Sequence, residues 1–432
     1  MTYKETTEYL FNQMPMFEKQ GKAGYKEGLD NTMTLDAHFG HPHRNYKTIH
    51  IAGTNGKGSC AHTIAAILQN MGYKVGLYTS PHIIDFRERI RINGITISEE
   101  YIVDFVEQER GFFEPLHPSF FEVTTAMAFK YFSDMQVDIA VIEVGLGGRL
   151  DCTNIITPIL SVITNISLDH TQFLGNTLAK IAGEKAGIMK PGVPVVIGET
   201  TEDTRQVFKN KAQDTGVKTV FAEDTAEILK AAHTADGRIE YDTLSFGKFE
   251  GELSGDYQIK NTRTILTAIK ELIAGNHIIK NKDINNIIKK SFMEVTSLTG
   301  LTGRWQKIEE RPTVICDAGH NTGGWEYIGR QLSNAGKGNI HIVFGMVDDK
   351  DIEGVIRLMP AGARYYFTKP DNKRALNENK IKSIAAAYGL NGKCFSTIKE
   401  AYSSAKATAQ PEDLIFIGGS CYIISDFMKT CF

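Results

Sequence analysis

Gly53-Thr54-Asn55-Gly56-Lys57-Gly58-Ser59 lies between an apolar run, Thr48–Ala52, and a stretch with apolar residues at three- and four-residue spacing, Ala61–Met71. Strand, glycine loop and helix N-terminus in that order make a phosphate cradle. Bare backbone N–H groups and the positive end of the helix meet the anion, and Lys57 reaches the β/γ oxygens. The spacing departs from the general P-loop, because only two residues separate Gly53 from Gly56 and Gly58 separates Lys57 from Ser59. The aligned lysine and hydroxyl nonetheless favour nucleotide phosphate over a turn that merely joins two elements.

A second apolar run, Ile139–Val144, carries Glu143 at its end and continues into Gly145, Gly147, Gly148, Arg149 and Asp151. Ligands of open α/β sheets lie beyond the carboxyl ends of strands, so Glu143 is placed to hold a metal that bridges nucleotide phosphates. After a third run, Ile159–Thr164, come Asp169 and His170, the latter a candidate metal ligand. Lys185 follows on an expected helix among Ile181, Ala182, Ala186 and Ile188. A lysine in such company can be desolvated and kept partly neutral, and a neutral amine can capture carbon dioxide and become an anionic ligand. Arg304, in LTGRW, offers an always-charged planar fork for phosphate. Asp317, His320 and Asn321 follow another apolar run, and both groups are expected at an interdomain cleft.

These groups need a scaffold of strands ending at one edge. From residue 48, β-rich runs (Thr48–Ala52, Val75–Tyr78, Ile139–Val144, Ile159–Thr164, Val193–Ile197) alternate with helical stretches (Ala61–Met71, Thr124–Ser133), which predicts a mainly parallel sheet. Residues 234–256 alternate and are rich in Gly and Asp, predicting hairpin structure. A second series (Thr313–Asp317, Asn339–Val343, Arg364–Thr368, Leu414–Gly418, with helices Gly354–Leu358 and Ile381–Tyr388) predicts a smaller α/β, Rossmann-like domain. The EVTSLTGLTGR segment between the series, with no sustained period, is expected to be a hinge or linker. The expected domains are 1–297 and 298–432.

The 432 residues allow two or three domains at roughly 100–200 residues each. With 48 Lys+Arg against 51 Asp+Glu, a formal net charge of -3 gives no reason to expect a nucleic-acid partner. No run approaches the ~18 apolar residues of a membrane span, and the start has no signal-peptide pattern. Six cysteines without a CxxC pair fit a reducing compartment, hence a cytoplasmic protein without membrane association.

The motifs AGTNGKGS, TSPH (79–82), FRERIRING (86–94), FEVTTAMAF, EVGLGGRLDCTN, SLDH, GEKAGI, GR, DAGHN and GGSCY occur in one order along nearly the whole chain. In this the chain resembles the folylpolyglutamate synthase/dihydrofolate synthase branch of the Mur ligase superfamily. The resemblance implies an N-terminal P-loop ATPase domain and a smaller C-terminal glutamate-ligase domain, with ATP between them. It implies that Gly53, Thr54, Asn55, Gly56, Lys57, Gly58 and Ser59 hold the triphosphate, completed by Asn261, Arg304 and Asp317. One or two magnesium ions would lie on Ser80, Glu143 and His170, with Ser59 and a carbamylated Lys185 as further ligands. Phe121 would stack on the pterin and Asp151 hydrogen-bond it, with Arg149, Leu29 and Arg87 nearby. His320 and Ser420 would lie near the incoming glutamate. A monomer is implied. Two positions depart from the family pattern: DAGHNT (317–322) lacks its usual proline, and Glu27-Gly28-Leu29-Asp30 replaces an early L-G-L.

The implied reaction joins the amine of L-glutamate to a carboxylate of dihydropteroate or of a reduced folate. A carboxylate is not electrophilic, so ATP must first convert it to an acyl phosphate. The transition state loads charge onto phosphoryl oxygens, which Lys57, Arg304, loop N–H groups and magnesium would serve. His320 is the candidate for placing the amine or taking its proton, and Lys57, Glu143, His170, Lys185 and His320 make up the catalytic set. Arg87, Arg89 and Arg91, if extended, would share one face and guide the polyanionic folate or stabilise the loop beside it. A peptidoglycan Mur ligase is a rival, but only 52 residues precede Gly53, too few for the nucleotide-sugar domain such enzymes carry. The residues are also compatible with an enzyme that only extends the glutamate chain, and with a nucleotide-switch P-loop protein.

Overall fold

Thr48, Ile49, His50, Ile51 and Ala52 are all buried, as a strand covered on both faces requires. They form most of β1 (Lys47–Ala52). In the computed structural model, which describes residues 1–15, 28–279, 283–335 and 338–432, the strands that follow β1 are β2 (Val75–Tyr78), β3 (Ile90–Ile92), β4 (Ile95–Thr96), β5 (Ile139–Glu143), β6 (Leu160–Ile163), β7 (Val195–Ile197) and β8 (Thr219–Phe221). They form one sheet in the order β4-β3-β2-β5-β1-β6-β7-β8. All neighbours from β2 to β8 pair in parallel, while β3 and β4 add an antiparallel margin. On one face Ile64 and Leu68 of helix Lys57–Asn70 pack with Ile49, Val141 and Ile265. On the other, Phe129 and Phe132 of helix Phe120–Asp134 pack with Tyr78, Ala140 and Ile142.

The hairpin expectation at 234–256 corresponds to a separate three-stranded antiparallel sheet, β11-β10-β9, built from β9 (Ile228–His233), β10 (Ile239–Thr243) and β11 (Gly247–Gly251). The expected linker is different in nature. Val295–Thr299 is helical, with Val295 and Thr299 fully buried, and Thr299 meets His62 Nδ1 of the phosphate-loop helix at 2.8 Å. Only Gly300 and Gly303, both left-handed, retain the turn character that composition suggested.

The second sheet orders β12 (Gln306–Glu310), β13 (Thr313–Asp317), β14 (Ile340–Phe344), β15 (Arg364–Phe367), β16 (Gly392–Cys394) and β17 (Leu414–Gly418) as β12-β13-β17-β14-β15-β16. All but the antiparallel β12 run in parallel. Trp325, Phe344 and Phe416 anchor its core. The strand β12 was invisible as an apolar run because its sequence is Gln-Lys-Ile-Glu-Glu, the polar character of an edge. By contacts the chain divides into two units. The first is Met1–Ile166, Thr171–Glu252 and Ile259–Leu301; the second is Ser167–His170, Leu253–Gln258 and Thr302–Phe432. Among the described residues no helix is long and apolar enough to cross a membrane.

At the amino ends of β14 and β17 a buried polar staple replaces apolar packing. His341, fully buried, meets Asp413 Oδ2 at 3.1 Å and the Tyr366 hydroxyl at 3.0 Å. The backbone N–H groups of Asn339 and Gln410 also donate to Asp413, at 2.7 and 2.9 Å. Burial alone would raise this carboxyl, but the donors outweigh it and bring it down to about 2. A carboxyl lowered on folding stabilises the fold above its unfolded value of 3.8, and that contribution is lost as pH falls through about 2. Asp413→Asn should therefore cost about 1–3 kcal/mol at neutral pH in chemical denaturation. The gap from the unsubstituted protein should close on acidification to about pH 2, and a pH-independent gap would contradict this assignment.

Candidate functional site

The first unit gathers its polar groups at the carboxyl ends of β2, β5 and β1, which are adjacent in the sheet. The loop after β1 enters helix Lys57–Asn70 through Gly56, which has φ of 83° and supplies no side-chain cap. A Cβ there would stand 2.3 Å from Asn261 Oδ1, so the expected nucleotide residue Asn261 is seated against the loop. The end of β6 braces it further. Thr54 N–H donates to Asn165 O at 2.9 Å, Asn55 N–H to Asn165 Oδ1 at 2.8 Å, and the Thr164 hydroxyl to Asn55 O at 2.6 Å. Lys57 Nζ turns back to Thr54 O at 3.2 Å. Lys185, 4% exposed at the end of helix Leu178–Lys185, donates to Gly53 O at 2.9 Å.

Glu143 ends β5, between the Ser80 loop after β2 and the phosphate loop after β1, and is 4% exposed. Ser59 is fully buried in the first turn of the phosphate-loop helix. Cys60 beside it is pushed up by burial first and by the Glu143 charge second, which places that carboxylate near the helix start. Hard oxygen donors of this kind, few in number, suit a magnesium-like cation that keeps some of its waters. By contacts His170 is assigned to the second unit, and Ser59, Ser80, Glu143 and Lys185 to the first. Among the described residues no cluster of three His, Cys, Asp or Glu stands ready as a metal cage.

The residues expected at the pterin divide. Phe121 stacks on Tyr78 with centroids 5.9 Å apart, and its ring fits only because residue 145 is glycine, whose Cβ would stand 2.5 Å from it. Asp151 is buried and occupied locally. Leu146 N–H donates to Oδ2 at 2.8 Å, and Thr153 N–H to Oδ1 at 3.0 Å, clamping the 145–148 loop. Burial raises its carboxyl, against those hydrogen bonds. Arg149 is exposed and paired with Glu184 at 3.0 Å. Leu29 precedes helix Asp30–His38, and Glu27 lies outside the described residues.

The shared face expected for Arg87, Arg89 and Arg91 does not form, because Phe86–Arg89 is a 3-10 turn and only Arg91 lies in β3. Arg87 pairs with Asp85 and Glu99. Arg89 is fully buried, donates from Nε to His82 Nδ1 at 2.8 Å and covers the Phe120 ring. Both are structural cations in this arrangement.

In the second unit Asp317 ends β13 and is 2% exposed. It receives the Tyr257 hydroxyl at 2.6 Å and the N–H groups of Trp305 and Gly319, each at 2.7 Å. Burial raises this carboxyl, opposed first by the Tyr257 hydrogen bond. It thereby fixes the turn that carries Arg304, whose Nη1 donates to Gly303 O at 3.0 Å. Ser420 follows β17, caps helix Cys421–Cys431 by accepting from Ile423 N–H at 3.2 Å, and is buried.

His320 and Asn321 converge on Asp169. His320 Nε2 lies 3.1 Å and Asn321 Nδ2 3.0 Å from Asp169 Oδ2, and Lys350 Nζ donates to Oδ1 at 2.5 Å. Lys350 also approaches His170 Nε2, at 3.4 Å. Sequence reasoning gave neither Lys350 nor Tyr257 a role. Lys350 had a usable signal, since it follows the carboxyl end of an expected strand, whereas Tyr257 lies just past a segment read as hairpin.

The Mur ligase middle domain family matches residues 51–269, and the Mur ligase glutamate ligase domain family matches residues 303–421. The dihydrofolate synthase/folylpolyglutamate synthase of Bacillus subtilis (strain 168) is 34% identical over 423 residues, 94% of this chain and 96% of the relative. Among solved structures, E. coli FolC in complex with DHPP and ADP is similar at a TM-score of 0.84 and 28% identity, over 100% of this chain and 98% of that one. A bifunctional folylpolyglutamate synthase/dihydrofolate synthase from Yersinia pestis c092, complexed with AMPPNP and Mn ion, gives 0.82 and 26%, over 100% and 98%.

Gly56→Ala combines left-handed strain with a clash against Asn261 and should weaken ADP binding about tenfold or more in calorimetry. Unchanged affinity would mean that the Gly56–Asn261 contact does not shape the nucleotide site.

Proposed function

This chain belongs to the dihydrofolate synthase/folylpolyglutamate synthase family of Mur ligases, and from that premise we propose how its own residues divide the work. It is an ATP-dependent ligase that joins L-glutamate to folates with the help of a divalent metal. In our reading the acceptors are the carboxylate of dihydropteroate and the γ-carboxylate of reduced folates, and the cation is magnesium. Residues 1–297 serve the nucleotide and pterin, and residues 298–432 serve the glutamate. The observation that carries this reading is the phosphate loop, braced by Asn165 and Lys185, beside a buried Glu143 on the adjacent strand end.

The substrate carboxylate attacks the γ-phosphorus, ADP leaves, and an acyl phosphate remains. Lys57 releases Thr54 O to meet the β/γ oxygens, and N–H groups at the start of its helix face the same charge. Because the loop that carries these donors is fixed before reaction, they favour the transition state at little reorganisation cost. Arg304, on the turn fixed by Asp317, contributes a second cation, and Asn261 borders the loop. Glu143, Ser80, Ser59 and His170 would hold the magnesium, which supplies charge neutralisation on the transferring phosphoryl group. The buried amine of Lys185 is suited to carbamylation, which would turn a donor to Gly53 O into a further acidic ligand.

The glutamate amine then attacks the acyl carbonyl and phosphate departs. His320 and Ser420 border that step. Phe121 offers a flat face for the pterin, and Asp151 keeps the adjoining loop in place. Leu29 and Arg149 are peripheral contributors.

The test is glutamate-dependent ADP release with product mass, run with dihydropteroate and with tetrahydrofolate monoglutamate. Turnover is expected with both. Turnover with tetrahydrofolate alone would restrict the enzyme to chain extension, and ADP release without a glutamylated product would overturn the ligase mechanism. Lys57→Ala should lower kcat by roughly 10²-fold or more in the same assay.

A further inference from the structure

Asp169 is buried, and two other parts of the second unit reach it. It belongs to the short Ser167–His170 segment, while His320 and Asn321 come from the loop after β13 and Lys350 from the loop after β14. Four donors fill the carboxylate: His170 N–H at 2.8 Å and Lys350 Nζ at 2.5 Å on Oδ1, with His320 Nε2 at 3.1 Å and Asn321 Nδ2 at 3.0 Å on Oδ2. The Lys350 loop is itself pinned. Asp348 N–H donates to Arg374 O at 2.9 Å, Leu376 N–H to Met346 O at 3.0 Å, and Arg374 pairs with Asp349.

The His320 ring shows what this carboxylate does. Its Nδ1 lies 3.1 Å from Ala318 O and its Nε2 lies 3.1 Å from Asp169 Oδ2, so both ring nitrogens face acceptors. With both nitrogens held, the plane of the ring is set by Ala318 O and Asp169 together.

We propose that Asp169 is a positioning residue for the amine-transfer step, fixing His320 and Asn321 in the orientation that receives glutamate. The proposal rests on the reading of His320 as a glutamate-side residue. Loss of the carboxylate frees the imidazole to rotate, so the second chemical step suffers more than the first.

The two steps can be read separately in the full-length protein. With ATP, magnesium and dihydropteroate but no glutamate, hydroxylamine attacks the acyl carbonyl, displaces phosphate and leaves a hydroxamate, which reports acyl-phosphate formation. Asp169→Asn should reduce glutamate-dependent turnover at least tenfold more than it reduces hydroxamate formation, with a raised KM for glutamate. In the cycle with His320→Ala, Asp169→Asn should cost less in the His320→Ala background than in the unsubstituted protein, because part of its action runs through that ring. Equal losses in both steps, together with a raised magnesium requirement, would show that Asp169 merely seats His170 and would overturn the proposal. Additive losses in the cycle would overturn it as well. If His320→Ala itself keeps normal glutamate turnover, the glutamate-side reading of His320 fails first, a result distinct from an inert Asp169→Asn beside a crippled His320→Ala.

Discussion

The phosphate loop can work only if a glycine segment is held in one shape between strand and helix, and the hydrogen bonds from the neighbouring strand end supply that constraint. Asn165 takes two loop N–H groups and Thr164 ties down Asn55 O, while Lys185 fixes Gly53 O. These contacts exist because β6 is the parallel neighbour of β1. The same parallel order puts β5 on the other side of β1 and so delivers Glu143 to the loop. Sheet topology therefore does the placing, and the side chains need reach only a few ångströms.

Three buried aspartates in this protein show how surroundings divide one residue type among tasks. Asp151 and Asp317 are held largely by backbone N–H groups and hydroxyls, and burial dominates, raising both carboxyls. They act as clamps for the 145–148 loop and the Arg304 turn. Burial would raise Asp169 too, but His320, His170 and Lys350 surround it and hold it well below the ordinary carboxylate range. Most of its partners come from chain segments far from it in sequence.

What could be read in the sequence was the local part. Gly53–Ser59, Glu143 and Asp317 each sit where an apolar run stops, and that pattern marks the ligand edge of a sheet without any knowledge of partners. The family resemblance then supplied roles for residues such as Phe121 and Ser420. Contacts such as Asp169 with Lys350, or Tyr257 with Asp317, join residues far apart in the chain and depend on tertiary closure. The arginines 87, 89 and 91 misled because their spacing of two suggests a strand, whereas Asp85 and Glu88 close a capping box that starts a 3-10 turn. The linker misled for a related reason: the buried side of Val295–Thr299 is set by the phosphate-loop helix and leaves no period in five residues.

The central claim is that ATP activates the carboxylate as an acyl phosphate before glutamate attacks. Dihydropteroate carrying a heavy-oxygen-labelled carboxylate, turned over with ATP, magnesium and glutamate, tests it most directly. The account predicts that the inorganic phosphate released carries a labelled oxygen drawn from that carboxylate. Glutamylated product formed with unlabelled phosphate would contradict it, because the carboxylate oxygen would then never have been bonded to phosphorus.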